Sequence, residues 1–326
     1  MSSEAGGDSF GAVASELARL LTGGGGEPAD GSLSELLFEA EPTPRPLPAR
    51  PAAVEAWAVD GGQALVADAR CLQVYVTRAS MVCFRGGACV VEQEGALGVH
   101  LMAPGVRPSI DAPLIGPDAT VDVALLRDWA EWSTVAMVVE AAAAGSVVLV
   151  DGDLVADWRI DPAFCRRVLA RADKRGVLAV GVTKHSSLSR GGAPLVGILE
   201  REAEETLGRR APWWAPVART RSDSAWPDIQ VVVARLDPDA RFAFRVDLPA
   251  TWDPEEALGA VASVSDDAAF PGYPYPLSVA DRLAACPGWL RQEAWLRLDA
   301  ELDALGVDPD VRRRAFDDRH RLMERH

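Results

Sequence analysis

Twice in this chain an apolar run ends on an aspartate followed by glycine. Ala56-Trp57-Ala58-Val59 leads into Asp60-Gly61-Gly62, and Ser146-Val147-Val148-Leu149-Val150 leads into Asp151-Gly152-Asp153. Short apolar runs of this kind read as strands, the second as a buried one. A carboxylate at the exit of each is how a sheet builds a metal site. The glycine behind it permits a sharp turn or the close approach of a ligand or neighbouring strand. Asp-Gly also marks ordinary turns, so one occurrence would carry little; the pair constrains the fold to a sheet presenting two carboxylates from separate strands.

With 326 residues, 48% apolar and 25% charged, the chain has material for one large domain or two small ones. No stretch approaches the roughly 18 uninterrupted apolar residues of a membrane span, and the N-terminus lacks the order of a signal peptide. No membrane association and a cytoplasmic location are therefore expected. The five cysteines (Cys71, Cys83, Cys89, Cys165, Cys286) have no CxxC spacing and read as buried thiols rather than as disulfides or a zinc site. A net charge of −15 argues against a broad basic surface for nucleic acid. DNA would have to be captured locally, where segments such as Arg312-Arg313-Arg314 stand out, or with a partner's help. An acidic proteome would give the same bias.

Along the chain, Phe10, Val13, Leu17, Leu20 and Leu21 fall at helical spacing ahead of Gly23-Gly24-Gly25-Gly26. This predicts an amphipathic helix on a tether, either packed or partner-docking. Residues 41–51 form a proline-rich lead-in. Short strands follow, with turns expected at Gly61-Gly62 and Gly86-Gly87. Next come a long helix over 121–144, the strand 146–151, a helix near 162–175, a strand 177–182, a hairpin at 228–248 and mainly helix from Leu277. Strands, then helix, strand, helix, strand, predict an α/β fold, a ribonuclease-H-like mixed sheet with flanking helices. The division is 1–50 as helix and linker, 51–290 as the main domain and 291–326 as a helical extension.

Val59-Asp60-Gly61, Thr77-Arg78-Ala79, Val150-Asp151-Gly152, Gly181-Val182-Thr183-Lys184, Phe244-Arg245-Val246-Asp247-Leu248-Pro249 and Gly272-Tyr273-Pro274-Tyr275-Pro276-Leu277, in this order, resemble the NurA nuclease family. The likeness spans about residues 54–290 and rests on order and spacing, since no single motif is specific. It implies a manganese-dependent 5′-to-3′ exonuclease and single-strand endonuclease, a dimer, and a complex with the hexameric HerA translocase in DNA end resection and repair. The chain departs from the family at Gly62 and Asp153, where serine is usual, and at Asp281, where members often carry histidine.

Phosphodiester cleavage of this type needs two hard divalent cations held by carboxylates, here Mn²⁺ or Mg²⁺. Asp60 and Asp151 supply two ligands, and the long helix must supply a third from Glu131 or Glu140. From Glu131 to the helix end is about 18 Å of helix, and from Ser146 to Asp151 about 17 Å of strand. The chain goes out and returns by the same distance, which favours Glu131. Lys184 is a candidate phosphate ligand or a solvated lysine. Tyr273 either orients water or stacks on a base, or packs a turn. Asp281 is a fourth metal ligand or a helix cap. His185, Trp57 and Trp213-Trp214 have structural readings, and Asp68, Asp153 and Asp266-Asp267 read as surface or turn charges. No GxxxxGK[ST] motif occurs, so the chain is not itself the motor. The expectation is a metal-dependent DNA nuclease fed by a HerA-like hexameric ATPase; the alternative is a catalytically weak scaffold that stimulates that ATPase.

Overall fold

The computed structural model describes residues 8–22, 26–31, 35–48 and 55–316. Gly23–Gly25 of the expected tether, Pro51 of the proline-rich stretch and residues 317–326 lie outside the described residues. Helix α1 (Asp8–Thr22) precedes three short strands, β1 (Pro28–Asp30), β2 (Leu36–Phe38) and β3 (Arg45–Pro46). Strands β4 (Ala56–Asp68), β5 (Gln73–Arg85), β6 (Ala88–Glu94) and β7 (Gly98–Met102) follow. Then come α2 (Val123–Ala141), β8 (Val147–Asp151), α3 (Pro162–Lys174) and β9 (Leu178–Thr183). The remainder is β10 (Leu188–Arg190), β11 (Ala193–Pro194), α4 (Leu195–Leu207), β12 (Trp213–Thr220), β13 (Ile229–Arg235), β14 (Phe244–Pro249), α5 (Pro254–Ala262), α6 (Tyr275–Ala284), α7 (Gly288–Ala304) and α8 (Pro309–Phe316).

One large sheet runs in the order β2-β12-β13-β14-β9-β8-β4-β5-β6, with β3 beside β12 and β7 beside β5. Its centre is parallel: Val59 of β4 lies opposite Val150 of β8, and Val150 opposite Gly181 of β9. β5 and β6 add antiparallel to one side. The set β6-β5-β4-β8-β9 is the ribonuclease-H-like mixed sheet that the element order predicts. Parallel strands are covered on both faces, and so β8 reads Val-Val-Leu-Val without alternation. Leu149 packs with Leu277 and Ala280 of α6 on one face, while Val148 and Val150 pack with Leu125, Trp132 and Val135 of α2 on the other. Asp122 caps α2 by accepting from the Leu125 N–H, and Asp161 caps α3 ahead of Pro162, which fixes where each covering helix starts.

Several sequence expectations need correction. β4 does not turn at Gly61-Gly62; it continues as one strand to Asp68, paired with β5 throughout. The lead-in over 41–51 is not only a linker, because β3 pairs with β12 at the sheet edge, where proline is tolerated; β2, just before the lead-in, pairs with the same strand. Cys71 and Cys89 are exposed rather than buried, one in the turn after β4 and the other on outer strand β6. Arg312 is not an open basic site: it is buried against Asp299 and Asp303. Phe10, Val13, Leu17 and Leu21 of α1 stay more than half exposed. Among the described residues no helix is long and apolar enough to cross a membrane.

Candidate metal centre

Side chains alternate across a strand, and Ala56 and Ala58 of β4, with Val147 and Leu149 of β8, face the α6 layer. Asp60 and Asp151 continue those two rows and therefore point the same way. α6 brings a third carboxylate, Asp281, against them. Oxygens of Asp60, Asp151 and Asp281 all lie within 4.8 Å of one another. Lys184, the residue after β9, sets its Nζ 3.0 Å from Asp151 Oδ2 and 2.9 Å from Asp281 Oδ1. The Tyr273 hydroxyl donates to Asp151 Oδ1 at 3.3 Å. The group sits at the carboxyl ends of parallel β8 and β9, where open α/β sheets place their ligands.

The approach of α6 depends on residues far away in sequence. A β-carbon on Gly62 would fall 1.9 Å from the Ala284 carbonyl oxygen at the end of α6, so only glycine lets the helix lie this close. Arg78 is buried and donates to the carbonyls of Ala284 (3.4 Å) and Ala285 (2.5 Å) while pairing with Glu94 at 2.6 Å. It thereby satisfies the carbonyls that a helix end leaves open. These contacts account for Gly62 and for the Thr77-Arg78-Ala79 segment. Asp281 lies well inside α6, whose N-cap is Pro274, so the helix-capping alternative is excluded. At the other carboxylate, Gly152 takes φ 117° and ends β8 immediately after Asp151.

Burial is the largest influence on Asp60, and with the Asp151 charge it pushes the carboxyl up to about 7; Lys184 pulls down and Asp281 pushes up. Its Oδ1 accepts from the Gly61 N–H at 2.6 Å. Glu131 is buried on α2, on the opposite face of β4, where its Oε2 would lie 2.8 Å from a β-carbon on Gly61. Burial first, then Asp128 and Asp60, hold its carboxyl well above the ordinary range. Glu131 is thus beside the three-aspartate cluster, within its electrostatic reach, rather than in it. Glu140 lies elsewhere, exposed and paired with Arg171 at 2.7 Å. Burial works against the Lys184 ammonium, but Asp281 and Asp151 raise it.

Three converging carboxylates with only oxygen donors suit a hard divalent cation such as Mg²⁺ or Mn²⁺. An ammonium already bridges two of them, so the pocket holds a cation by construction, and its remaining charge is still negative. No protein-family model matches the chain, and no curated relative matches it. Among solved structures it is similar to the NurA nuclease from Sulfolobus solfataricus, with TM-score 0.53 and 14% identity, covering 91% of this chain and 94% of that one. The chain has a NurA-like fold. Lower likenesses are to a second NurA structure (TM-score 0.43, 8% identity, 73% and 85% covered) and to the catalytic domain of human endonuclease V (0.40, 13%, 78% and 85%).

The NurA-like fold also holds a buried charge cluster that sequence reasoning missed. Arg245 is almost wholly enclosed and donates to Asp247 at 2.8 and 3.1 Å and to Asp30 at 2.7 Å, with Asp153 at 3.5 Å. Asp153 is therefore no surface charge; it also accepts from Thr183 Oγ1 at 2.7 Å. Asp247 accepts from the Leu154 N–H at 3.2 Å, although burial pushes its carboxyl up to about 6. The cluster ties β14, β9 and the turn after β8 together, and so fixes the ends from which Lys184 and Asp151 project. The Arg-Val-Asp spacing, i and i+2 on one strand face, was the signal available in sequence.

Proposed function

We propose that the protein is a divalent-metal-dependent nuclease that hydrolyses DNA phosphodiesters, with Asp60, Asp151, Asp281 and Glu131 as metal ligands. The observation that carries this is the convergence of three aspartate carboxylates within 4.8 Å beside a lysine and a tyrosine. Glu131 is included as a ligand from the α2 side of β4, where it lines one cleft with Asp151 and where burial first, then Asp128 and Asp60, hold its carboxyl high. Bound divalent cations, Mn²⁺ or Mg²⁺, would supply an activated water and offset charge on the leaving oxygen.

The chain's own residues do the rest. Lys184 has three donors, of which two are taken by Asp151 and Asp281; the third is free to hold a phosphate oxygen. Tyr273 keeps its proton, since burial and the surrounding carboxylates push its hydroxyl upward; it serves as a fixed donor that orients Asp151 and water. The finer expectations belong to the same proposal and are supported by the resemblance alone. They are 5′-to-3′ exonuclease and single-strand endonuclease action in end resection, a homodimer, and a HerA-like hexameric ATPase as partner.

The test is cleavage of end-labelled single- and double-stranded DNA with Mn²⁺, with and without a co-encoded ATPase, alongside Mn²⁺ calorimetry. Asp151→Asn should abolish both cleavage and the calorimetric site. A wild-type chain that binds no Mn²⁺ and cuts nothing would be the scaffold.

A further inference from the structure

Two clefts meet at the metal centre, and they differ in charge. The one on the α2 side, about 500 Å³, is lined by Glu35, Asp128, Glu131, Asp151, Asp153 and Asp157, with Arg127 as its cation. A nucleic-acid strand would be repelled there. The other, about 650 Å³, includes Lys184, Tyr273 and Asp281 and is walled by Phe242, Phe244 and Phe270. Its size suits one small organic group.

The aromatic wall is continuous with the catalytic candidates. Around Tyr273, whose hydroxyl reaches Asp151, the Phe244 ring lies at 5.3 Å, the Phe270 ring at 6.2 Å and the Lys184 ammonium at 5.4 Å from the ring centroid. Phe242 is 57% exposed and Phe270 51% exposed. Single exposed apolar residues are ordinary. Two phenylalanines open into one cleft beside a lysine and a carboxylate cluster are an aromatic platform next to a phosphate site, the combination used to hold single strands.

We propose that this cleft receives an unstacked nucleobase of single-stranded DNA, held between Phe242 and Phe270, with its phosphate at Lys184. The inference rests on the nuclease reading and deepens it. Paired bases in a duplex are already stacked and offer no free face, so the substrate is a single-stranded or frayed end. Ring faces read no hydrogen-bond pattern, so the subsite tolerates any base.

The test is fluorescence anisotropy with a labelled oligothymidylate and with an abasic strand of the same length, in Ca²⁺, with strand integrity checked on a gel. The phosphates are equal and only the bases differ. The wild type should prefer the thymidylate. Phe242→Ala and Phe270→Ala should each weaken thymidylate binding by about 5- to 150-fold, the equivalent of about 1–3 kcal/mol of stacking, and leave the abasic strand unchanged. Equal wild-type affinity for both strands, or equal losses on both in the variants, would overturn the proposal. The wild-type comparison stands even if a variant fails to fold. Base preference without Mn²⁺-dependent cleavage would instead reject the nuclease reading while sparing the subsite.

Discussion

Asp60→Asn should make the metal-free protein more stable, by a margin that is absent below about pH 4, grows as pH rises and is complete above about pH 7. Asp60 is 6% exposed, and its carboxyl is pushed up to about 7 by burial and then by Asp151, against an ordinary value of 3.8. A folded-state value above the unfolded one means that the native state binds the proton more tightly. The stability this gives is complete below about pH 3.8, falls as pH rises, and is gone above about 7. At 1.36 kcal/mol per pH unit, the span corresponds to about 4 kcal/mol. Asparagine mimics the protonated acid: its amide oxygen can still accept from the Gly61 N–H, and it carries no charge to desolvate. Urea unfolding in EDTA should show variant and wild type within about 1 kcal/mol of each other near pH 4. Near pH 8 the variant should lead by up to about 4 kcal/mol. Adding Mn²⁺ should reverse the order, since a ligand that binds only the native state stabilises it and the variant lacks a carboxylate. Equal stability at pH 8 in EDTA would refute the reasoning, because Asp60 would then be ionised without cost in the folded state.

Gly62→Ala should dislodge α6, because its β-carbon meets the Ala284 backbone rather than a flexible side chain; a loss of at least ~1–3 kcal/mol in urea unfolding, with weaker Mn²⁺ binding, is expected. Lys184→Ala should tighten Mn²⁺ binding by roughly tenfold in calorimetry, about one charge-assisted hydrogen bond, while cleavage falls; unchanged affinity would show that the ammonium does not compete for the carboxylates. Arg245→Met leaves Asp30, Asp153 and Asp247 without their guanidinium and should cost ~3–5 kcal/mol by denaturant titration. Glu131→Gln should remove cleavage and Glu140→Gln should not, as read on end-labelled DNA; the opposite pattern would reject Glu131 as a ligand.

What could be read from the sequence was what is local. β8 is legible because four apolar residues end on Asp151, and α2 because its buried residues recur at helical spacing. Counting rises along α2 and β8 puts Glu131 rather than Glu140 near Asp151, and the positions agree because both elements are regular; which of the two is a ligand belongs to the proposed function. The failures share one cause, which is contact between segments distant in sequence. Gly61-Gly62 looks like a turn locally, yet the reason for Gly62 is Ala284, on a helix at the other end of the domain. Asp153 looks like a turn charge until β14 brings Arg245 beside it. β2 and β3 are too short to be seen as strands, β3 the more so for its proline, and the edge of β12 gives them a partner. Phe242 and Phe270 carry no sequence signal, because their meaning lies in the cleft they share with Lys184.

On the proposed function this acidic chain meets an acidic polymer and must first neutralise its own centre, where its carboxyls are offset in layers. Asp60 on one face of β4 and Glu131 against the other are both buried, and burial holds them toward their protonated forms. Asp151 and Asp281, nearer the solvent, share the Lys184 ammonium instead. Protons serve where water is excluded and a side-chain cation serves where it is not, because a buried unpaired charge is the more expensive of the two. A divalent cation can replace both forms of neutralisation at once, and in doing so it would free Lys184 to face outward. The lysine then stands at the boundary between a centre with its charge offset and the aromatic cleft, whose two carboxylates, Glu200 and Asp281, are offset by Lys184 and Arg245, whereas six carboxylates line the other cleft. On this account the order of events is set by charge: the strand can approach only after the carboxylates are satisfied, and only from the phenylalanine side.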